Sequence, residues 1–260
     1  MSWNETVLIA IISAVAGGVI GFFAQHVLPA LLVERIRERR ELSGAFRRNA
    51  SPLMYASYQL FRRLQNILED GLYEGLAQSW QPKPHWPMTQ EYFIESTQYL
   101  FGVFLAHLEQ YYLDIFHLAY GNQKDSRLFC QMARDTQRAL YDVSLNSEHL
   151  PDHQVYLLDQ KAMGEALLIG EADVSVLGFF EFRNRMRKKR EFRMAFSPIR
   201  ELIVDLRPDD GGFRFERLQV FAKRLTDLYF FLGKHTHGDI YSLTEKIRVR
   251  GDRRECIESG

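Results

Sequence analysis

Cysteine is scarce in this chain, since Cys130 and Cys256 are the only two among 260 residues. Two cysteines are too few for a disulfide scaffold or a four-thiolate metal centre, so we expect two free thiols in a reducing compartment. Net charge is lacking as well, because 33 basic residues balance 33 acidic ones. The overall charge therefore indicates neither nucleic acid nor an acidic partner.

The short motifs that mark common enzyme and cofactor sites are also missing. The sequence contains no phosphate-binding Gly-x-x-x-x-Gly-Lys-Ser/Thr loop, no Gly-x-Gly-x-x-Gly fingerprint, no Gly-x-Ser-x-Gly turn and no His-Glu-x-x-His motif. None of the eight histidines follows an arginine at the spacing typical of one helical family of RNA-cleaving domains. We therefore predict no catalytic residue and no cofactor.

Charged residues are absent between positions 6 and 33, a run of 28 residues. About 20 apolar residues suffice for a helix to cross the hydrocarbon layer of a bilayer. The most apolar part covers residues 7–24, where Ser13 is the one polar interruption. We predict a single transmembrane anchor within residues 1–33. A helix buried in a soluble domain and a cleaved signal peptide remain as alternatives.

The charges that flank this run predict its orientation. No Lys or Arg precedes it, which argues against a signal peptide. Six arginines lie within the juxtamembrane stalk expected at residues 34–50, and the positive-inside rule keeps such a flank in the cytoplasm. We expect the N-terminus outside the cell membrane and the rest of the chain in the cytoplasm. The six are Arg35, Arg37, Arg39, Arg40, Arg47 and Arg48.

Small residues recur at intervals of four along the expected anchor, at Ser13, Gly17 and Gly21. Such a face lets two helix backbones approach closely in lipid, where packing drives association. The pattern predicts self-association through the transmembrane helix, although small residues are common in membrane helices in any case.

Helical periodicity dominates the remaining sequence, and the one stretch that resembles a strand is 174–177. We predict an all-α fold, in which the anchor is followed by a bundle of about six helices over residues 51–238 and a weakly structured tail over 239–260. Caps and prolines mark the boundaries. Helices are expected from Pro52, from Thr89 to about 121, over 124–146, from Pro151 to Gly170, from Asp173 to Phe196, from Ser197 to Leu206 and over 213–232. The last of these should bury one side, formed by Leu218, Phe221, Leu225, Leu228 and Leu232.

Positive charge is concentrated in residues 183–193, which hold seven basic residues and one glutamate in a chain of zero net charge. On a continuous helix these charges would surround most of the circumference and would need solvent or anionic partners. Anionic lipid heads, nucleic-acid phosphates and acidic protein surfaces all fit this requirement. The candidate anion- or lipid-binding residues are Arg183, Arg185, Arg187, Lys188, Lys189, Arg190 and Arg193.

Two histidines and a carboxylate follow the last strong helix as His235, His237 and Asp239. This spacing suits metal ligands in an extended loop, but a site would need a further ligand that the sequence does not indicate. The three residues are weak metal candidates.

These features favour a non-enzymatic function. The anchor would confine a helical domain to the cytoplasmic face, where it binds an anionic lipid or protein partner or assembles with further copies of itself. An extension of this interpretation is that assembled anchors perturb the membrane. The alternatives are a membrane-tethered metal-dependent hydrolase or nuclease, and a nucleic-acid or nucleotide-binding module that uses the basic stretch 183–193.

Overall fold

The computed structural model describes residues 28–82, 88–116, 124–145, 153–170, 174–208 and 213–235. Within these ranges the protein is mostly helical, which confirms the predicted all-α class. The chain divides into two compact units, 1–45 and 46–260, and the packing described below belongs to the second. None of the described helices combines the length and the apolar character that a bilayer crossing requires, and the predicted span 7–24 lies outside the described residues.

Eight α-helices, two short 3-10 helices and two very short strands make up the described ranges. The 3-10 helices are Leu72–Leu76 and Val143–Leu145. The strands are β1 (Leu168–Ile169) and β2 (Ser175–Val176). The α-helices are α1 (Leu28–Leu68), α2 (Gln90–Phe116), α3 (Lys124–Ala139), α4 (Leu157–Leu167), α5 (Phe179–Lys188), α6 (Arg190–Ala195), α7 (Ser197–Ile203) and α8 (Arg214–His235).

The core forms where the apolar faces of α1, α2, α3 and α8 meet. Helical spacing predicted the buried face of α8, and the structure confirms it, since α8 packs against α3. Tyr58 of α1 contacts Tyr229 of α8 with ring centroids 5.7 Å apart. The predicted α8 residues that are fully buried are Leu218, Phe221, Leu225, Leu228 and Leu232.

One arginine lies inside this core. Arg217 has no solvent exposure, and its Nη1 donates to the carbonyl oxygen of Asp142 at 3.1 Å and to that of Ala139 at 3.5 Å. Carbonyls at a helix C-terminus lack partners within the helix. Arg217 therefore joins α8 to the end of α3 and satisfies buried backbone oxygens.

Glycines allow α2 and α4 to approach closely. A Cβ atom on Gly102 would lie 2.5 Å from Leu167 Cδ1 and 2.8 Å from Phe196 Cε1. A Cβ atom on Gly164 would lie 3.0 Å from the carbonyl oxygen of Leu105. Both contacts are tighter than ordinary packing distances, so this crossing needs small residues.

Several of the predicted helix boundaries were wrong, and the helix expected over 124–146 ends at Ala139. Helix α1 does not begin at Pro52 but runs through it. Proline removes a backbone donor and usually interrupts a helix. Here Ala50, Leu53 and Met54 are buried on either side, so tertiary packing overrides the local signal.

The helix expected from Pro151 to Gly170 begins later, at Leu157. Residues 153–156 are not helical, and the Val155 N–H donates to the Leu140 carbonyl at 3.0 Å. Leu158 of this helix is 78% exposed. The side that is buried consists of Gln160, Met163, Gly164 and Leu167.

The helix expected from Asp173 to Phe196 is replaced by a strand and two helices. Strand β2 pairs with β1 in antiparallel register, and Gly170 at φ 90° follows β1. Helix α5 starts at Phe179, and Lys189 in an extended conformation separates it from α6. The chain direction therefore changes in the middle of the basic stretch.

Candidate anion-binding site

The floor of the site comes from the first half of α2. Thr89 caps this helix as predicted, with its Oγ1 accepting the Tyr92 N–H at 3.2 Å. Glu91, Glu95 and Gln98 follow at intervals of four and three residues, which places their side chains on one helix face. This face points away from the aromatic core and towards α5, α6 and α7.

The arginines on the opposite wall come from α5 and α6, on either side of the break at Lys189. Phe182 and Met186 of α5 and Phe192 of α6 are buried, which fixes the inward faces of both helices. The exposed faces carry Arg187 and Arg190. Because Arg183, Arg187 and Arg190 follow at intervals of four and three residues, their side chains lie on one side and line one space.

The space between these elements is an open cavity of about 680 Å³. Small-molecule sites typically occupy about 300–1,000 Å³. Five arginines and two glutamates give the lining a formal charge of +3. The lining residues are Thr89, Glu91, Glu95, Gln98, Arg183, Met186, Arg187, Arg190, Arg193, Met194, Ser197 and Arg200.

Each glutamate of the cavity pairs with one arginine. Arg183 Nε lies 2.6 Å from Glu95 Oε2, and its guanidinium also lies over the Tyr92 and Phe179 rings. Arg200 binds Glu91 through two parallel bonds of 2.8 and 3.0 Å. Bidentate geometry of this kind fixes both partners. These two arginines are thus held in place by carboxylates.

The other three arginines keep their charge uncompensated. Among the described residues, no ion pair joins Arg187 or Arg190 to a carboxylate. Arg193 Nη1 donates to the carbonyl oxygens of Met186 and Arg187 at 3.3 and 3.4 Å, near the C-terminus of α5. Carbonyl partners leave the positive charge of Arg193 intact, so all three guanidinium groups remain suited to an anion.

Gln98 is the deepest polar residue of the lining. Its side chain has no solvent exposure, and its Nε2 donates to the Phe196 carbonyl at 2.9 Å. Its Oε1 accepts no hydrogen bond from any residue in the described ranges. A buried acceptor without a donor costs free energy, about 1–3 kcal/mol in typical cases. Gln98 therefore offers an acceptor that a bound molecule would satisfy.

The structure divides the seven predicted anion-binding residues into two groups. Arg183, Arg187, Arg190 and Arg193 line the cavity, and the other three do not. Arg185 instead pairs with Glu181 at 3.1 Å, and a hydrogen bond from Asn184 together with this one from Arg185 lowers the pKa of the Glu181 carboxyl. Lys188 and Lys189 are exposed outside the cavity.

Sequence reasoning missed the remaining charged and amide residues of the site, namely Glu91, Glu95, Gln98 and Arg200. Glu95 is 88 residues from Arg183, and only the packing of α2 against α5 and α7 brings the three α2 residues to the arginines. One local signal was available. The spacing of Glu91, Glu95 and Gln98 marks a polar stripe on an otherwise apolar helix.

The remaining predicted site residues lie outside what the structure describes. The side chain of His235 and all of His237 and Asp239 belong to that part of the chain. Within the described ranges, no group of three or more His, Cys, Asp or Glu residues is arranged to hold a metal ion. Ser13, Gly17 and Gly21 of the predicted anchor are likewise not described, so self-association stays a prediction.

Comparison with known proteins does not assign the chain to a family. It matches no family model, no curated protein and no solved structure.

Proposed function

We propose that the chain is a membrane-anchored binding protein whose helical domain takes a phosphate-bearing anion into the arginine-lined cavity. The observation that carries this proposal is the convergence of five arginines on one cavity with only two carboxylates among them. Arginine matches the oxygens of phosphate through its planar fork of donors. The sequence contains no Gly-x-x-x-x-Gly-Lys-Ser/Thr loop, which is typical of phosphate-transfer enzymes, so we propose binding rather than catalysis.

The open shape of the cavity supports reversible binding. Arg187, Arg190 and Arg193 are exposed, so an anion can reach them without a rearrangement of the core. Arg183 and Arg200 pair with Glu95 and Glu91, so Arg187, Arg190 and Arg193 supply the charge that attracts the anion. The predicted anchor would hold this cavity close to the cytoplasmic surface of the membrane.

Isothermal titration calorimetry of the full-length protein in detergent with inorganic pyrophosphate tests the proposal. Saturable binding that weakens as salt is raised is expected, because salt screens exposed charges. The double variant Arg187→Gln/Arg190→Gln should lose about tenfold or more in affinity. The matched control is Lys188→Gln/Lys189→Gln, which removes the same charge from the same stretch outside the cavity.

The control decides between a built site and a diffuse basic surface. If the cavity is the site, the lysine variant keeps nearly the affinity of the wild type. Equal losses in both double variants would mean that only net charge matters. Absence of saturable binding by the wild type would contradict the proposal.

A further inference from the structure

The cavity contains hydrogen-bond acceptors as well as arginines, and they lie at different depths. Gln98 is fully buried and Glu95 is 4% exposed, whereas Arg187 and Arg190 are exposed at the rim. Gln98 Oε1 accepts no hydrogen bond within the described ranges. Glu95 uses Oε2 for Arg183, and no hydrogen bond to its Oε1 occurs among the described residues. Two acceptor oxygens without a donor therefore belong to residues that line the same cavity as the arginines.

A bare polyphosphate satisfies only half of this arrangement. Phosphate oxygens accept hydrogen bonds from the arginines, but they would face Gln98 Oε1 and the Glu95 carboxylate with no donor to offer. Contact between a phosphate and a carboxylate is also repulsive. A ligand that fills the cavity should thus carry donor groups in addition to its phosphate.

The lining also bears on what kind of molecule supplies those donors. No aromatic side chain lines the described cavity, and its apolar contributions come from Met186 and Met194. Sites that bind nucleobases commonly stack them on aromatic rings or arginine planes, and the exposed arginines of this cavity are assigned here to the phosphate. The nearby rings of Tyr92 and Phe179 already lie against the guanidinium of Arg183. Hydroxyl groups suit this lining better than a base, and Thr89 and Ser197 add further polar partners.

We infer that the ligand is a phosphate ester of a polyol, bound with its phosphate at Arg187 and Arg190 and its hydroxyls donating to Gln98 Oε1 and Glu95 Oε1. This inference rests on the proposed function and specifies its ligand class. A cavity of about 680 Å³ accommodates a six-membered ring with one or more phosphates. The same chemistry occurs in a free sugar phosphate or inositol phosphate and in an inositol lipid head.

A pair of ligands tests the inference without altering the protein. Myo-inositol 1-phosphate and cyclohexyl phosphate share a six-membered ring and one phosphate, but only the first has ring hydroxyls. Calorimetry with the full-length protein should show that the inositol ester binds about tenfold more tightly, since each satisfied hydrogen bond favours binding. Inorganic pyrophosphate serves as the reference for phosphate binding alone.

The outcomes separate the two claims. Equal affinities for the two esters, with pyrophosphate also bound, would overturn the polyol inference and leave the proposed function standing. Failure of all three ligands to bind would overturn both. Tighter binding of the inositol ester supports both.

A variant on the protein side locates the hydroxyl contacts. Gln98→Met removes the buried acceptor and should abolish the preference for the inositol ester while the affinity for cyclohexyl phosphate stays within about twofold. Gln110→Met is the matched control, because Gln110 lies on the same helix outside the cavity. An unchanged preference in a folded Gln98→Met variant would contradict the assignment. If that variant does not fold, the ligand pair still decides.

A third arm distinguishes the source of the polyol phosphate. The full-length protein is placed in phosphatidylcholine nanodiscs with or without phosphatidylinositol, and binding of free myo-inositol 1-phosphate is measured in each. Reduced binding with phosphatidylinositol present identifies a lipid head as the occupant, and unchanged binding identifies a free ester. Both results support the polyol class, whereas no binding in either type of disc contradicts it.

Discussion

Arginine serves two regions of this molecule in opposite surroundings. Arg217 is fully buried in the core, where its guanidinium donates to backbone carbonyls at the end of α3. Arg187 and Arg190 are exposed beside the cavity, and no described carboxylate pairs with them. The first arginine is committed to the fold by its hydrogen bonds, whereas the other two are available to a ligand. Substitutions in the two regions should therefore affect different measurements.

The largest effect is expected at Arg217. Replacement by Met keeps an unbranched apolar stem but leaves the carbonyls of Ala139 and Asp142 without their donor. We expect a loss of about 2–3 kcal/mol in the free energy of unfolding, since hydrogen bonds from charged groups are worth about 1.5–3 kcal/mol. Denaturation of the full-length protein in detergent, followed by circular dichroism, measures it. Arg224→Met on the exposed side of α8 is the control and should change little.

The next effect is expected at the crossing of α2 and α4. Gly102→Ala places a Cβ atom within 3 Å of Leu167 and Phe196 and should cost about 1–2 kcal/mol of stability by overpacking. Gly178→Ala is the matched control, because nothing lies within 4 Å of a Cβ atom there and its φ of −72° suits alanine. The same unfolding measurement applies. Equal stability of the two variants would contradict the close approach.

A smaller effect, and one on affinity alone, is expected at the cavity. Glu91→Gln removes one of the two carboxylates and releases Arg200 from its ion pair. Affinity for pyrophosphate should rise about two- to fivefold, because a nearby negative charge is worth roughly 0.5–1 kcal/mol at an exposed site. Calorimetry with pyrophosphate measures this change in affinity, and Glu216→Gln, outside the cavity, is the control. A fall in affinity would show that the ion pair positions Arg200 for the ligand.

The smallest effect is a dependence of stability on pH that comes from the half-buried His107. Burial lowers the pKa of the His107 imidazole below its usual value, although a hydrogen bond with Gln110 opposes this. The unfolded chain then binds the proton more readily than the folded one, so stability falls as pH drops below about 6.5 and levels off below the folded pKa. We expect a loss of about 2 °C or less in melting temperature. The His107→Gln variant should lack this loss of melting temperature at low pH. The same dependence of melting temperature on pH in the variant and the wild type would contradict the prediction.

Some features of the fold could be predicted from local sequence patterns, and others depend on tertiary packing. Apolar periodicity predicted the buried face of α8 correctly, because a stripe of leucines at helical spacing has one way to be buried. Local boundary signals were less reliable. Pro52 failed to start a helix, because the buried residues around it fix the chain more strongly than its missing N–H disturbs it.

The basic residues of the cavity could be predicted from the sequence, but its other lining residues could not. Charge density in residues 183–193 pointed to an anion, and helical spacing already places Arg187 and Arg190 on one side, away from Lys188 and Lys189. Glu95 and Gln98 are distant in sequence and meet the arginines only in the folded state. Tertiary packing was therefore needed to find the acidic and amide residues of the lining.

Protection of individual arginines tests the central claim most directly. The full-length protein is treated with phenylglyoxal, with and without saturating pyrophosphate, and modified arginines are quantified by mass spectrometry. The account predicts that pyrophosphate reduces modification of Arg187 and Arg190 several-fold, while Arg207 and Arg224, which are exposed outside the cavity, react equally in both samples. Unchanged modification of Arg187 and Arg190, or equal protection of all four, would contradict it.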